Sequence, residues 1–544
     1  MPFALKPPST ATLIIAMQHI CVLLALTLFA ALSGCGQSGK SPIGGQTLHR
    51  GLGSEPSTLD PAAAADNFSQ EVLRDMYEGL TTESPTGEVI PGVALAWSVD
   101  PSGTQYSFQL RPDARWSNGQ PVKAQDFVIA FRRIVDPTKA SPVADDLRII
   151  AGAASIISGK RQPAELGVTA TSDSELVIKL EKPAPYLPQL LTHSAAFPIY
   201  SDASASSHSS ATWVSNGPYV LSKWSPGSSI ELIRNPHYWD RRSVQIPTVQ
   251  YQFVPDDNSQ YARYRAGQLD VTDTVPANAI PELRRENSKE LVVAPFLATA
   301  FYGLNLSVPP FAGNAKLRQA MAMAIDRRRL VESLGFGQAE AYGFVPPGTW
   351  NFRPQSWPWR GLSESERVRE ARRLYSEAGY SVDTPLHLRL LFYNNPVTRN
   401  TAVLIAAMWK DSLGIDTVLI EEEYRVFLES RHDKSRWDVA RLGWLADYND
   451  ASNFLDIFRG HSSNNDAGYH SSAFDALMDE AERTADANVR KAILEQSEQL
   501  MLSDYPIVPL YFYVSKRLVK PYVHGVQPNP LNRVPSKLLS IVNQ

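Results

Sequence analysis

Residues 386–421 read LHLRLLFYNNPVTRNTAVLIAAMWKDSLGIDTVLIE, and this stretch decides the fold class. The apolar run Leu386–Tyr393 predicts a buried strand, and the helical periodicity of Thr401–Leu413 ends at a glycine, which is favoured just after a helix. Ile415–Glu421 and Trp437–Trp444 predict two further strands. Strands and helices that alternate in this way are typical of a parallel sheet covered by helices, so we expect an α/β protein with a doubly wound parallel sheet here.

The elements on both sides of this stretch follow two different patterns. Helical periodicity predicts four further helices, at Lys316–Leu334, Glu364–Ala378, Ser472–Arg483 and Asn488–Ser503. An apolar run predicts a strand at Ile507–Val514. Alternating apolar and polar residues predict earlier strands, at Gln105–Leu110, Glu175–Leu180, Ser229–Arg234 and Gln250–Val254. Because alternation of helices and strands begins only near residue 300, we expect two regions that are built differently.

The loop after the strand at 437–444 is a candidate ligand site. In open α/β sheets, ligands bind beyond the carboxyl ends of the strands. The residues at that place are Leu445-Ala446-Asp447-Tyr448-Asn449-Asp450. Asp447 beside an aromatic residue is therefore a candidate for recognising a polar ligand, and an ordinary loop with a solvated carboxylate is an equal alternative.

The first residues indicate export. Ile20–Ala31 is too short an apolar run to span a bilayer, which needs about 20 residues, and is typical of a secretion signal. Leu32-Ser33-Gly34-Cys35 follows it and resembles a bacterial lipobox. We therefore expect a signal peptide at 1–34, a lipidated Cys35 and a flexible tether at 35–47 that holds the protein at the outer face of a bacterial membrane. The alternative is an ordinary signal peptide with a chance cysteine.

The composition excludes several classes of protein. A formal charge of −4 over 544 residues, with no basic block, argues against nucleic-acid binding. Neither H-E-x-x-H nor G-x-S-x-G occurs, so we expect no enzyme, no metal and no cofactor. Gly34–Ser41 matches the P-loop pattern but lies between a signal segment and Pro42, where neither flanking strand nor helix is expected, and is rejected. Only Lys6 gives the leader positive charge, and either Met1 or Met17 fits as its start.

A series of short strings runs along the chain from about Arg50 to Asn532. The strings are Gly53–Pro61, Tyr77–Leu80, Pro91–Ala94, Phe108–Arg111, Ala114–Val122, Asn216–Tyr219, Arg234–Asp240, Tyr264–Asp270, Ala324–Arg327, Ala440–Asn449 and Val508–Tyr513. In this order and spacing the chain resembles the oligopeptide-binding proteins, the large extracytoplasmic solute receptors of peptide ABC importers. Each string is weak alone, and the ordered set is specific.

The resemblance implies a fold and a set of partners. The fold is an α/β two-lobe periplasmic-binding-protein clamshell with an extra inserted domain, which gives three domains. Lobe I would comprise residues 48–67, 193–297 and 514–544, the inserted domain residues 68–192, and lobe II residues 298–513. Short peptides would be the ligands, ABC transporter permease subunits the partners, and the protein a monomer in the cell envelope.

The resemblance also implies how a peptide would be held at its amino-terminal end. Asp447 would pair with the α-amino group in a charge-assisted contact. The backbones of Gly443-Trp444-Leu445 and, from the other lobe, of Ser54-Glu55-Pro56 would flank the peptide as added strands, which bind main chain without reading sequence. Pro56 has no N–H, so it would contribute only its carbonyl.

Further residues are implied around the rest of the peptide. Tyr424 and Trp444 would line side-chain pockets, while Tyr511 and Tyr513 would offer hydroxyl groups near the hinge. Arg431 and Arg441 are the candidate cations for the peptide carboxyl terminus, because a guanidinium matches a carboxylate in a bidentate way. An alternative for Arg441 is an ordinary ion pair with a neighbouring acid.

Several ligand classes stay open on such a scaffold, namely murein peptides, dipeptides, nickel chelates and haem. A lipoprotein that senses peptides rather than transporting them is a further alternative. The aspartate at 447 favours ligands that carry a free amine over metal chelates and haem. Thr398 and Arg399 stand where some relatives have a basic residue for the carboxyl terminus, and Leu445 is bulkier than its counterpart in some relatives, so peptide length is left open.

Overall fold

The computed structural model describes residues 47–200, 213–286, 288–381 and 383–542. The predicted signal peptide at 1–34, the lipidation site Cys35 and all of the predicted tether except Thr47 lie outside the described residues. Within the described ranges, no helix has the length and apolar character needed to cross a membrane.

The strands of the described residues build several sheets. They are β1 Thr47–Leu52, β2 Thr81–Glu83, β3 Val89–Pro91, β4 Ala94–Val99, β5 Gln105–Leu110, β6 Val168–Ser172, β7 Glu175–Lys179, β8 Tyr219–Ser225, β9 Ser229–Arg234, β10 Thr248–Phe253, β11 Leu291–Leu304, β12 Ala339–Glu340, β13 His387–Tyr393, β14 Asp416–Glu422, β15 Val439–Leu445, β16 Ile507–Leu518, β17 Val523–His524 and β18 Ser540–Ile541. The strands predicted by alternation are confirmed, with ends that differ by at most two residues.

The α-helices of the described residues cover these sheets. They are α1 Asn67–Met76, α2 Ala124–Val135, α3 Ala153–Ile157, α4 Leu187–Leu190, α5 Asp257–Arg265, α6 Ile280–Arg285, α7 Ala315–Met323, α8 Arg327–Leu334, α9 Glu364–Glu377, α10 Pro396–Leu413, α11 Tyr424–Ser430, α12 Ser452–Leu455, α13 Ser472–Arg483 and α14 Ala487–Asp504. Helix α10 begins five residues before the predicted start, because Asn395 caps it by accepting a hydrogen bond from Val397 N at 2.8 Å.

Three sheets define three parts of the molecule. The sheet β1-β10-β9-β8 forms the first lobe, and the antiparallel sheet β4-β5-β7-β6 forms the inserted domain. The sheet β12-β16-β11-β15-β13-β14 forms the second lobe. The first lobe and the inserted domain share one hydrophobic core, and the second lobe has another. The second core begins earlier in the chain than the change of pattern near residue 300, since Tyr264, Leu269 and Leu283 already belong to it.

The sheet of the second lobe is mixed, so the prediction of a doubly wound parallel sheet is only partly right. Strand β13 lies parallel to β14 and to β15, as predicted from the strand and helix alternation. Strand β11 pairs antiparallel with β15 and with β16, and β12 is antiparallel to β16. The antiparallel strands come from distant parts of the chain, and no local pattern reveals how they pair.

Strands β11 and β16 connect the two lobes. Their pairing extends from Gly303 and Ile507 in the second-lobe sheet to Leu291 and Leu518, with a register shift between Pro295 and Thr299. Beyond that shift, Val519 bridges to Val271, which in turn bridges to Arg50 of the first-lobe sheet. This ribbon is one of the covalent connections between the lobes.

One predicted helix is wrong, since Lys316–Leu334 divides into α7 and α8. The guanidinium of Arg327 is fully buried at the break and donates to carbonyl oxygens of Ala322, Ala341 and Pro509 at 2.7–3.0 Å. Asp326 caps the second helix through Arg329 N at 3.0 Å. The buried arginine and the cap replace the backbone bonds that a continuous helix would make.

Candidate functional site

A cavity of about 470 Å³ lies between the second lobe and a wall formed by helix Asn67–Met76 and residues 531–535. Leu445 and Asp447 line it from the carboxyl end of β15, at the place that the α/β pattern predicts. Its size lies within the range of small-molecule and cofactor sites, about 300–1,000 Å³. This cavity is the cleft.

Asp447 is exposed to the cleft and lies two residues beyond β15. Its Oδ2 accepts a hydrogen bond from Asn453 Nδ2 at 3.1 Å, and its own N–H donates to Asn453 Oδ1 at 3.3 Å. Burial of the carboxyl group raises its pKa, against the opposing influence of the Asn453 bond and of Arg533. No lysine or arginine of the described residues forms an ion pair with Asp447, so its charge is available to a ligand.

The end of β15 has one free edge. On one side Gly443, Trp444 and Leu445 pair with Ala300, Thr299 and Ala298 of β11. On the other side β13 pairs only with Val439 and Ala440 of β15, so residues 441–445 have no strand partner there among the described residues. The Trp444 indole N–H donates to Asn453 Oδ1 at 2.9 Å, which fixes this edge to the loop that carries Asp447.

Arg441 is a buried cation without a carboxylate partner among the described residues, so the alternative of an ordinary ion pair is wrong. Its Nη2 donates to Tyr513 Oη at 2.9 Å and to Tyr511 Oη at 3.2 Å. Its side chain is almost fully buried, and its Nε has no hydrogen-bond partner. The structure therefore brings Arg441, Tyr511 and Tyr513 together directly behind Gly443, where a side chain at 443 would lie 3.5 Å from Arg441 Nη1 and 3.6 Å from Tyr513 Oη.

Arg431 and Tyr424 lie around the short helix Tyr424–Ser430. Arg431 Nη1 is 3.6 Å from Asp466 Oδ2, and its Nε has no hydrogen-bond partner among the described residues. The Tyr424 ring is 52% exposed and meets Tyr393 edge to face at 5.3 Å. Neither residue lines the cleft that contains Asp447.

Ser54, Glu55 and Pro56 are not among the residues that line the cleft. The Glu55 carboxylate is already engaged, because it accepts from Trp224 Nε1 at 2.7 Å and from Gly227 N at 2.9 Å. Gly53, one residue earlier, donates its N–H at 3.2 Å to Asp273 Oδ2, and Asp273 does line the cleft. The segment thus lies next to the cleft wall, in the first lobe.

Eight polar residues of the cleft were not predicted from the sequence, among them Arg74, His193, Asp273 and Arg533. Burial, with Arg74 and Arg533 nearby, lowers the pKa of His193 to about 3. Burial and then Glu71 raise the pKa of Asp273 to about 6. Arg533 is paired with the buried Glu83. Only the fold brings these residues together, since they come from four separate segments, and no spacing in the sequence indicates them.

Residues 88–466 match the family described as bacterial extracellular solute-binding proteins, family 5. The chain belongs to this family. The family 5 chain is 37% identical over 508 residues to the periplasmic oligopeptide-binding protein OppA of Escherichia coli, which covers 91% of this chain and 93% of that protein. It is 34% identical over 514 residues to the periplasmic murein peptide-binding protein MppA of the same organism, covering 93% and 95%.

Solved structures agree with the family 5 fold. The unliganded open form of the murein tripeptide binding protein MppA gives a TM-score of 0.84 at 33% identity, over 92% of this chain and 98% of that one. Haemophilus influenzae OppA in complex with RPPGFSPFR gives a TM-score of 0.73 at 35% identity, and the match covers 92% of this chain and 99% of that one. The expected family and the α/β clamshell with an inserted domain are therefore confirmed.

Proposed function

We propose that the protein captures short peptides with low sequence specificity by lobe closure and delivers them to an ABC peptide importer. The observation that carries this proposal is the free edge at 441–445, which ends at a cleft-facing carboxylate, Asp447. A peptide offers an extended backbone and one ammonium group, and these two features fit the edge and the carboxylate. The relatives are named for binding oligopeptides and murein peptides.

The peptide backbone would add to the sheet as a strand beside Gly443, Trp444 and Leu445. Such β-augmentation binds main-chain groups, so affinity does not depend on the peptide sequence. Closure of the lobes would then bring Ser54, Glu55 and Pro56 against the other side of the peptide. Exclusion of water would strengthen the contact between Asp447 and the α-ammonium.

Arg441 and Arg431 are the groups we assign to the carboxyl terminus of the peptide, each with a guanidinium nitrogen that lacks a partner among the described residues. Arg441 would gain most from an anionic partner, because its described partners carry no negative charge, whereas Arg431 already has Asp466 at 3.6 Å. Tyr511 and Tyr513 would orient Arg441, while Tyr424 and Trp444 would border side-chain pockets. This assignment makes the protein a binding protein rather than an enzyme.

The cellular setting belongs to the same proposal. A signal peptide at 1–34 and a lipid on Cys35 would place a monomer at the outer face of a bacterial membrane, with 35–47 as its tether. The relatives are named as periplasmic, which supports an envelope location. The domain limits that we propose are 48–67, 193–297 and 514–544 for lobe I, 68–192 for the inserted domain and 298–513 for lobe II.

Murein peptides are the second candidate ligand. The 34% identity over 514 residues to the periplasmic murein peptide-binding protein MppA supports them. They share the free amine that Asp447 would bind, so the site chemistry is common to both candidates. Short peptides of mixed sequence and a murein tripeptide, offered in competition, separate the two.

Native mass spectrometry of the protein as purified tests the proposal. A heterogeneous set of short peptides is the expected ligand, and one murein tripeptide would support the second candidate. A single defined ligand that is not a peptide would overturn both. Loss of peptide uptake in cells without the gene would separate transport from peptide sensing.

A further inference from the structure

Asp146, between β5 and β6 of the inserted domain, lies beside the part of the cleft that contains Asp447. Its Oδ2 is 3.6 Å from His193 Nδ1, and His193 lines the cleft together with Asp447. Burial raises the pKa of Asp146 to about 7, and repulsion by Asp447 and then by Asp145 adds to the effect. The carboxyl groups of Asp146, from the inserted domain, and of Asp447, from the second lobe, therefore repel one another at this end of the cleft.

The Asp146 carboxylate lacks a partner within the described ranges, where no lysine, arginine or hydrogen-bond donor engages it. His193 does not fill that role, although it is close. Its Nδ1 already accepts a hydrogen bond from Ala195 N at 3.3 Å, which places the proton of the neutral ring on Nε2. A lone pair of His193 therefore faces the Asp146 oxygen, and the contact supplies no compensating charge.

His193 gives an independent indication that a ligand binds here. Its side chain is only 7% exposed, yet its ring lines the cleft and its Nε2 has no hydrogen-bond partner among the described residues. Nε2 is not one of the fully buried atoms without a partner, so its N–H is accessible from the cleft and can donate to a bound molecule. A carbonyl oxygen of a bound molecule would meet this N–H beside the two carboxylates.

The two arginines of the cleft, Arg74 and Arg533, lie near His193. Arg74 and Arg533 both act on the charge of His193, but neither is among the groups that act on Asp146. Arg533 is in addition paired with Glu83. Arg533 also offsets part of the charge of Asp447, so Asp146 is the carboxylate of this region that neither arginine compensates.

We propose that Asp146 and Asp447 together select peptides whose first residue carries a cationic side chain. Asp447 would hold the α-ammonium, Asp146 the lysine or arginine side chain, and His193 Nε2 would donate to the carbonyl oxygen of that residue. A first-residue lysine supplies both cations from one residue, which removes the repulsion between the carboxylates and gives each a charge-assisted bond. The inference rests on the proposed peptide-binding function and names a preferred class of peptide.

Calorimetric titration with two matched peptide series tests the selection. One series begins with lysine and the other with norleucine, which has similar bulk and no charge; alanines follow in each, at several lengths. At about pH 8 the lysine series should bind the wild type roughly tenfold more tightly, which is the gain of one charge-assisted bond. Asp146→Asn should reduce the ratio to about one. Asp145→Asn is the matched control, because Asp145 is more exposed and already paired with Arg148 at 2.7 Å, and should keep the ratio.

The pH dependence of the ratio gives a second readout. The groups that face Asp146 are Asp145, Asp447 and His193, and His193 stays neutral over this range. As the pH falls below about 7, Asp146 takes up a proton and no longer attracts a cation, so the lysine preference of the wild type should shrink. Protonation of Asp447 weakens both series alike and cancels in the ratio.

Two results would overturn the proposal: an equal ratio in the wild type and in Asp146→Asn, or a ratio that does not change with pH. If neither series binds the wild type at any length, the proposed peptide-binding function fails instead, and this inference fails with it. Binding of both series with equal affinity leaves peptide capture intact and rejects the selection alone.

Discussion

Asp447 carries a negative charge into the cleft while its neighbours only partly compensate it. Asn453 donates one hydrogen bond to its side chain, and Arg533 Nη2 lies 3.4 Å from its main-chain carbonyl oxygen rather than from its carboxylate. Because burial raises its pKa, the carboxylate gains from any cation that enters. The same contacts hold the group in place before a ligand arrives.

Loss of this charge should affect the binding of peptides with a free amino terminus differently from that of peptides with a blocked one. Asp447→Asn keeps the shape and the acceptor for Asn453 but removes the charge. Peptides with a free amine should bind roughly 10- to 100-fold more weakly, whereas N-acetylated peptides should change little. Fluorescence titration of the tryptophans measures both, and an equal loss for the two kinds of peptide would contradict the role of Asp447.

Arg441 allows the corresponding test at the other end of the peptide. Arg441→Met removes a buried cation and leaves no stranded carboxylate, since the described residues offer it only tyrosine hydroxyls and a main-chain carbonyl. Free-carboxyl peptides should bind roughly tenfold more weakly, and C-amidated peptides should be unaffected. The variant Arg431→Met, measured in the same way, shows which of the two arginines contributes more to binding of the peptide carboxyl terminus. If amidation makes no difference in the wild type, neither arginine binds the carboxyl terminus.

Helix Ala487–Asp504 stabilises the segment of residues 344–355 through one buried carboxyl group. Glu498 is completely buried, and its Oε1 accepts from the N–H groups of Phe344 and Val345 at 2.8 Å, while Oε2 accepts from Gln355 N at 2.9 Å. Burial raises its pKa to about 7. A glutamine at this position must direct its NH₂ group at a backbone N–H donor.

We therefore expect Glu498→Gln to lower the free energy of unfolding by about 1–3 kcal/mol, the usual cost of an unsatisfied buried group. Urea denaturation measures this loss. The matched control is Glu495→Gln on the same helix. Its Oε1 accepts from Arg353 N at 3.1 Å, which an amide oxygen can also do, and its ion-pair partner Arg353 is exposed, so the effect should be within about 0.5 kcal/mol.

The pH dependence of unfolding separates the two variants further. A carboxyl group whose folded pKa is raised stabilises the fold at low pH, and the wild type should lose that contribution between the ordinary glutamate pKa and about 7. Glu498→Gln should lack this contribution to the pH dependence of the free energy of unfolding. If that free energy falls equally with rising pH in the wild type and in the variant, the role of Glu498 is contradicted.

The elements that local pattern determines were predictable, and those that distant residues determine were not. Strand β9 and helix Ser472–Arg483 match their predicted limits, because the periodicity of each reflects one buried face. The break at Ala324–Asp326 was missed, since the carbonyl partners of Arg327 come from residues 341 and 509 as well as from its own turn. In the site, Asp447 follows a recognisable strand, whereas His193 and Asp146 become meaningful only through their contact in space.

At the scale of the whole molecule, the inserted domain touches the second lobe beside the binding loop. The rings of Tyr186 and Tyr448 stack with centroids 5.1 Å apart, and Arg490 lies over Tyr186 at 4.9 Å. Arg490 also pairs with the buried Asp450 at 2.8 Å, so the residues on both sides of Asn449 are anchored. When the clamshell closes, this contact must therefore either remain as a pivot or be replaced by other contacts.

Closure itself is the prediction that joins the site to the whole molecule. The ribbon of β11 and β16, with its register shift after Pro295, offers a place where the lobes can bend. A peptide that binds Asp447 in one lobe and gains contacts with residues 54–56 of the other lobe only when the lobes close stabilises the closed state by the free energy of those added contacts. Small-angle scattering should show a smaller radius of gyration when the wild type is saturated with peptide. Asp447→Asn at the same peptide concentration should stay near the unliganded radius and approach the smaller one only at higher concentrations, because the loss is one of affinity. If saturating peptide leaves the wild-type radius unchanged, the ligand binds without closure, and the contribution assigned to Ser54, Glu55 and Pro56 is wrong even though Asp447 still binds the amine.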